Sequence, residues 1–157
     1  MRRKDREITG ADGIREILDL CKTAAVAMID GDAPYVVPLS YGYELEDGRL
    51  TLYFHCAKEG RKLDILRRND RVCFTVFEEG ELSQGKAPCN TGYYFSSVIG
   101  SGTAEIIEDP DEKRYALQKM YARQAGRTVE FTAAQAAPLA VIRIVSTDYT
   151  GKRKPRT

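Results

Sequence analysis

From Leu50 to Phe77 the sequence changes its hydrophobic period twice, reading as strand, loop, helix and strand in one short stretch. Leu50, Leu52 and Phe54 alternate with Thr51, Tyr53 and His55, the two-residue period of a strand with one buried face. The run breaks at His55-Cys56-Ala57-Lys58-Glu59-Gly60. A helix over 60–68 follows, with Leu63 and Leu66 on one face, and Asn69-Asp70 then separates it from a strand over 71–77.

The start of that helix carries an electrostatic conflict. Arg61 and Lys62 fall in the first turn, where backbone N–H groups lack acceptors and the helix dipole is positive. Cations are unfavourable there unless an anion is bound, and a phosphate would both use the free donors and relieve the repulsion.

The remaining segments are mostly strand. Residues 1–8 form a polar arm. A helix is predicted from Ala11 to Lys22, with Thr9 or Asp12 as cap and an apolar stripe of Ile14, Ile17, Leu18 and Cys21. Thr23 to Ile29 is small and apolar on both faces, as in a closely packed barrel strand. Tyr35 to Glu44 reads as the next strand. Pro38 cannot donate to a ladder, so the strand is bulged or lies on an edge there, with small residues beside it that leave room for a flat ligand. Asp47-Gly48 marks a hairpin turn.

Glu78 to Thr91 reads as a long loop, and Tyr93 to Ile107 as a long strand with a barrel corner at Gly100 and Gly102. Asp109-Pro110 starts a helix that Gly126 ends, Thr132 and Gln135 form a capping box, and Leu139 to Val145 is the last strand. The basic tail 151–157 is expected to be mobile, like the N-terminal arm. The pattern is about six strands in an antiparallel barrel with peripheral helices, forming one domain over 1–157.

Composition narrows the function classes. The chain of 157 residues carries 24 basic and 23 acidic side chains, so its bulk charge favours neither nucleic acid nor a membrane surface. No apolar run reaches the ~20 residues of a membrane span. The four cysteines, Cys21, Cys56, Cys73 and Cys89, show no CxxC spacing and read as reduced thiols, which places the protein in the cytoplasm.

Few residues offer chemistry. The lone histidine, His55, sits at a strand end beside Cys56, but nothing else supplies metal ligands at the required spacing. It suits a hydrogen-bonding or stacking partner for a ligand, or a surface position. Cys56 has no second histidine to activate it, although Arg61, Lys62 and the helix end would lower its pKa. Ser96 and Ser97 are either barrel filler or donors to a phosphate or ring carbonyl. The basic groups at both termini lack the interleaved aromatics of a nucleic-acid surface.

Taken in order, the segments VVPLSYGY, LYFHCAKEGRKLDIL, RVCFTV and CNTGYYFSSVIGSGTAEIIEDPDEK resemble the pyridoxamine 5′-phosphate oxidase-like flavin-binding split barrels, and within them the nitroimidazole-resistance subgroup. The resemblance runs from about Thr23 to Val145. It implies a mainly β fold, a six-stranded antiparallel Greek-key split barrel with peripheral helices, assembled as a homodimer with FMN at the subunit interface.

By that resemblance Val37, Pro38, Leu39, Ser40 and Tyr41 lie along the flavin ring. Phe54, His55, Cys56 and Ala57, with Gly60, Arg61 and Lys62, hold the ribityl chain and phosphate. Ser96, Ser97 and Val98 approach from the second subunit, and His55 lies beside the flavin as the catalytic group that positions or protonates an acceptor. The implied activity is electron transfer from NAD(P)H through FMN to a small, flat, oxidised molecule such as a nitroaromatic. Two alternatives stand beside it: a non-enzymatic flavin-binding regulatory protein, and a haem-binding relative with His55 as axial ligand. Dimerisation has one hint in the residues themselves, since Tyr41, Tyr43, Tyr93 and Tyr94 exceed what a small barrel easily buries.

Overall fold

The computed structural model describes residues 2–154. Eight strands and four α-helices occur among them: β1 (Glu7–Ile8), α1 (Ala11–Leu20), β2 (Thr23–Asp30), β3 (Ala33–Ser40), β4 (Gly42–Glu46), β5 (Arg49–Ala57), α2 (Arg61–Arg68), β6 (Arg71–Ser83), β7 (Gly92–Ile106), α3 (Pro110–Ala125), α4 (Ala133–Ala136) and β8 (Leu139–Lys154). All strand pairs are antiparallel, in the order β3-β2-β6-β7-β8-β5-β4, with β1 added to β8.

The two ends of that order, β3 and β4, are adjacent in sequence and joined through Tyr41. One continuous segment therefore supplies both edges of the sheet, and the sheet curls round on itself while staying open between β3 and β5. This is the split-barrel architecture expected from the sequence, with eight strands rather than six. The extra strands arise because the expected 35–44 strand breaks at Tyr41 and because the N-terminal arm contributes β1. Pro38 sits on β3, an edge strand in unbroken register with β2, so the edge alternative holds and the bulge does not.

Three boundaries differ from the sequence reading. The first part of the 78–91 loop is strand: β6 runs to Ser83, with a register shift between Glu79 and Leu82 that absorbs Gly80. The tail is not free, since β8 continues to Lys154, Gly151 pairs with Ile8, and Arg153 donates to Ser96 Oγ (3.1 Å) and Glu16 Oε2 (2.9 Å). The N-terminal arm is structured too, as a 3-10 turn over Lys4–Arg6 followed by β1. Met1 and residues 155–157 of these expected mobile ends lie outside the described residues. At α1 neither Thr9 nor Asp12 caps; Gly10 holds that position without a side-chain hydrogen bond.

Two cores hold the fold. Leu50, Leu52 and Phe54 of β5 point into the barrel with Val26, Phe74 and Ile144, and Ile14, Ile17 and Leu18 of α1 close over them. The other face of β5 is covered as well, because Tyr53 packs with Ala116, Leu117 and Met120 of α3. β5 is thus buried on both faces from Leu50 to Phe54 and emerges again at His55.

α3 can lie this close because β4 begins with glycine: a Cβ at Gly42 would stand 2.6 Å from the Met120 backbone nitrogen. The helix starts as its sequence dictates, with the Asp109 carboxylate accepting from the Asp111 and Glu112 amides at 2.9 Å. At the barrel corner, a Cβ on Gly102 would collide with the Val145 carbonyl, beside a register shift between Ser101 and Thr103. Among the described residues no helix is long and apolar enough to cross a membrane.

Candidate functional site

The open seam between β3 and β5 is where the sequence-derived residues meet. On β3, Val37 and Leu39 turn toward the barrel core, while Pro38 and Ser40 face outward and are exposed. On β5, Phe54 is wholly buried, Cys56 is half-buried against the core, and His55 and Ala57 are exposed. Ser40 and His55, far apart in sequence, line one cavity of about 280 Å³ between the sheet and α3. Neither side chain hydrogen-bonds to a described residue, so both are available to a ligand.

Tyr41 is placed differently from its neighbours. Its ring is fully buried, and its hydroxyl donates to the Leu18 carbonyl at 2.7 Å and the Cys21 carbonyl at 3.2 Å. Desolvation drives its pKa upward, keeping the phenol neutral. A ligand can meet Tyr41 only through its backbone, and the same holds for the buried side chains of Phe54 and Val98. Of the four tyrosines that hinted at an interface, Tyr41 is thus part of the core, Tyr43 is half-buried with its hydroxyl on Asp19 Oδ1 (2.8 Å), and Tyr93 is the one with large exposure, 49%.

At the seam's far end, Gly60 precedes α2 with φ +137°, and no side chain caps the helix. The N–H groups of Arg61 and Lys62 therefore point out of the first turn without intrahelical acceptors. The two cations differ. Arg61 donates from Nε to Asp30 Oδ2 at 2.9 Å and lies 4.5 Å from the centre of the Tyr35 ring, and Arg68 binds the other Asp30 oxygen at 2.8 Å. The expectation that both first-turn cations wait for an anion is therefore corrected: Asp30 already neutralises Arg61. Lys62 is half-buried and forms no ion pair with a described residue. The expected low pKa of Cys56 is also corrected, since burial raises it and Lys62 only partly offsets that rise.

Ser96, Ser97 and Val98 do not join this group within one chain. They lie on β7, separated from β3 by β2 and β6, about 14 Å away at the usual strand spacing. Ser96 is buried and accepts from Arg153; Ser97 is half-buried and faces outward.

Between these regions the outer surface of four strands is unusually apolar. The register aligns Val36, Ala27, Cys73 and Ser101 in one row, and Pro38, Ala25, Thr75 and Ile99 in the next, with Phe77 beside Ser97 beyond them. Val36 is 57% exposed, Ile99 51% and Phe77 61%.

Two features escaped the sequence reading. Leu117, Met120 and Tyr121 of α3 line the cavity beside His55, and nothing in the sequence marks them for more than helix packing. The Asp30–Arg61 pair joins the end of β2 to a helix, 31 residues apart in sequence, and no local pattern marks it.

Comparison with known proteins agrees with this geometry. A family model described as pyridoxamine 5′-phosphate oxidase matches residues 11–153. A candidate 5-nitroimidazole antibiotic resistance protein from Bacteroides thetaiotaomicron is 30% identical in sequence, with a TM-score of 0.80 over 94% of this chain and 86% of that one. Two flavoproteins share the fold at lower identity. One is a flavocytochrome from Azotobacter vinelandii (22%, TM-score 0.80, 99% and 72% coverage). The other is an FAD- and haem-binding protein from Mycobacterium smegmatis (18%, TM-score 0.81, 96% and 74%). No curated protein sequence matches the chain.

Proposed function

Because the chain belongs to the pyridoxamine 5′-phosphate oxidase family, we propose that it is an FMN-dependent oxidoreductase, with flavin held between two copies of the chain. The observation that carries this reading is the seam itself. It brings an edge strand, an unbonded histidine and an uncapped helix start with an unpaired lysine into one line.

Each part has a role that its chemistry supports. The first-turn amides of α2 and Lys62 form one anion site suited to the phosphate of FMN. Arg61 contributes at longer range or by leaving Asp30. The free edge of β3 offers backbone groups to the rim of a flat ring, and Pro38 and Ser40 leave space over it. Flavin supplies the hydride and electron chemistry, while the protein binds, orients and excludes water. His55, on the outward face of β5, orients an acceptor at the ring or gives it a proton.

The second copy supplies what one chain lacks. The apolar outer face of β2, β3, β6 and β7 is the kind of patch that marks an interaction surface. Pairing it with its own copy carries the partner's β7, with the partner subunit's Ser97, toward the β3 seam. NADH or NADPH is the proposed donor, and a small, flat, oxidised compound such as a nitroaromatic is the proposed acceptor.

A rival reading is a flavin- or haem-binding protein without turnover. The free imidazole of His55 favours it, since such a group can also serve as an axial ligand. The absorbance spectrum of the purified protein decides between flavin and haem. Stopped-flow mixing with NADH and NADPH, then with a nitro compound, separates enzyme from binder. A flavin that every donor leaves oxidised excludes the oxidoreductase.

A further inference from the structure

We propose that the cavity beside His55 takes the apolar ring of an uncharged substrate, and that phosphorylated pyridines, pyridoxamine 5′-phosphate included, are excluded from it. This deepens the flavin reading and rests on it for what the bound molecule undergoes, but not for the binding itself.

The lining is the argument. Leu117 and Met120 of α3, Phe131 from the segment before α4 and Leu139 at the start of β8 form its walls, and the lining surface is almost wholly carbon. Tyr121 meets Phe131 edge-on, with centroids 6.0 Å apart, and its hydroxyl is engaged by Arg127 at 2.9 Å. The amide nitrogen of Gln124 is committed to the Lys22 and Tyr41 carbonyls, at 3.0 and 2.8 Å. Ser40 and His55 make no side-chain hydrogen bond to a described residue, and the Tyr121 O–H and the Gln124 Oε1 add a neutral donor and a neutral acceptor.

Among the described residues no carboxylate, ammonium or guanidinium group lines the space. A phosphate brought into it would be desolvated without a counter-ion, at large cost. A neutral ring loses nothing of that kind, gains by leaving water, and can direct one or two acceptor atoms to His55 and Ser40. The volume of about 280 Å³ admits a single-ring compound with small substituents and is below the usual range for larger ligands. The family's name therefore does not describe the molecule that this chain's cavity selects.

Met120 provides a local probe. Protein as purified, labelled with 13C at the methionine methyls, is titrated with 4-nitrobenzyl alcohol and separately with pyridoxamine 5′-phosphate. The expected result is a saturable shift of the Met120 methyl with the alcohol, none with the phosphate at tenfold higher concentration, and no movement of Met28 in the barrel core. Leu139→Trp, which fills the cavity from the start of β8, should weaken the alcohol at least tenfold.

The proposal is overturned if the phosphate shifts Met120 as readily as the alcohol, or if Leu139→Trp leaves binding unchanged. Release of bound flavin on adding the alcohol also overturns it, because the cavity then belongs to the flavin ring. Absence of flavin from the purified protein, judged by absorbance, counts against the oxidoreductase reading alone and leaves the Met120 titration decisive for the cavity.

Discussion

Arg61 Nε lies 2.9 Å from Asp30 Oδ2, so the first cation of α2 is tied to the end of β2. That contact divides the work of the two cations at the proposed phosphate site. Lys62 has no competing carboxylate among the described residues and should lose about ten- to a hundredfold in FMN affinity on substitution by alanine, the ~1.5–3 kcal/mol of a hydrogen bond to a charged group. Arg61 must first exchange Asp30 for phosphate, so Arg61→Ala should cost less than about threefold. Asp30→Ala frees Arg61 and should tighten binding, while losing two exposed ion pairs of ~0.2–1 kcal/mol each. Fluorescence titration of apoprotein with FMN checks all three. Wild-type affinity in both Lys62→Ala and Arg61→Ala would remove the phosphate site.

Tyr41 and Arg123 share acceptors at the end of α1. The Tyr41 hydroxyl donates to the Leu18 and Cys21 carbonyls, and Arg123 Nη2 donates to Leu18, Asp19 and Cys21. Tyr41→Phe leaves those carbonyls satisfied by the guanidinium and should cost only about 0.5–1.5 kcal/mol. Arg123→Ala removes a cation from a helix C-terminus as well as three donor contacts, and should cost about 2–3 kcal/mol. The double variant should lose more than the sum, because each donor covers for the other. Urea denaturation measures these differences.

Much of this arrangement is legible in the chain. The two-residue period of Leu50, Leu52 and Phe54 and the capping signals at Asp109 and Thr132 are local physics, and each element formed where its residues placed it. What escaped was set by distant parts. Nothing near Thr51 or Tyr53 says that α3 will cover that face of β5. Glycine and proline between Glu78 and Thr91 suggest a loop, yet pairing with β7 carries the strand past Gly80. The phosphate argument from helix charge overlooked Asp30 for the same reason: the partner lies across the fold, on another element.

Glu44 pins α3 to β4 and should give the protein an acid-sensitive limb. Burial pushes its carboxyl upward, but hydrogen bonds from Lys119, Tyr115 and Tyr53 outweigh that and hold it below the ordinary value. A lowered folded-state pKa stabilises the fold at pH above the unfolded value of about 4.3, and the stabilisation fades as pH falls through the folded value. Glu44→Gln should therefore melt below wild type at pH 7, with the gap closing toward pH 3. A melting-temperature series across that range tests it; a gap that widens in acid would reverse the assignment.

Gly42→Ala should separate stability from binding at the cavity. The added Cβ would stand 2.6 Å from the Met120 amide nitrogen, so α3 must move off β4. Overpacking of this kind costs about 1–3 kcal/mol. Since Leu117 and Met120 ride on the same helix, the Met120 methyl response to a neutral ring should weaken even in the folded fraction. FMN affinity, set at the α2 end of the seam, should change little.

The outer face of β2, β3, β6 and β7 decides whether the flavin site is shared. Ile99 stands on β7, 51% exposed, at the end of the row formed by Pro38, Ala25 and Thr75. Ile99→Glu adds charge to a surface position and should leave the single chain's stability within about 0.5 kcal/mol. Across a two-fold interface it brings like charges together on a buried apolar surface, and it should convert a dimer into a monomer. Leu20→Glu, at a similarly exposed position on α1 away from this face, should leave the dimer intact. If flavin sits between two copies, the Ile99→Glu monomer loses FMN along with its partner. Sedimentation combined with flavin absorbance reads both properties at once, and a monomer that keeps its yellow colour would show that one chain suffices.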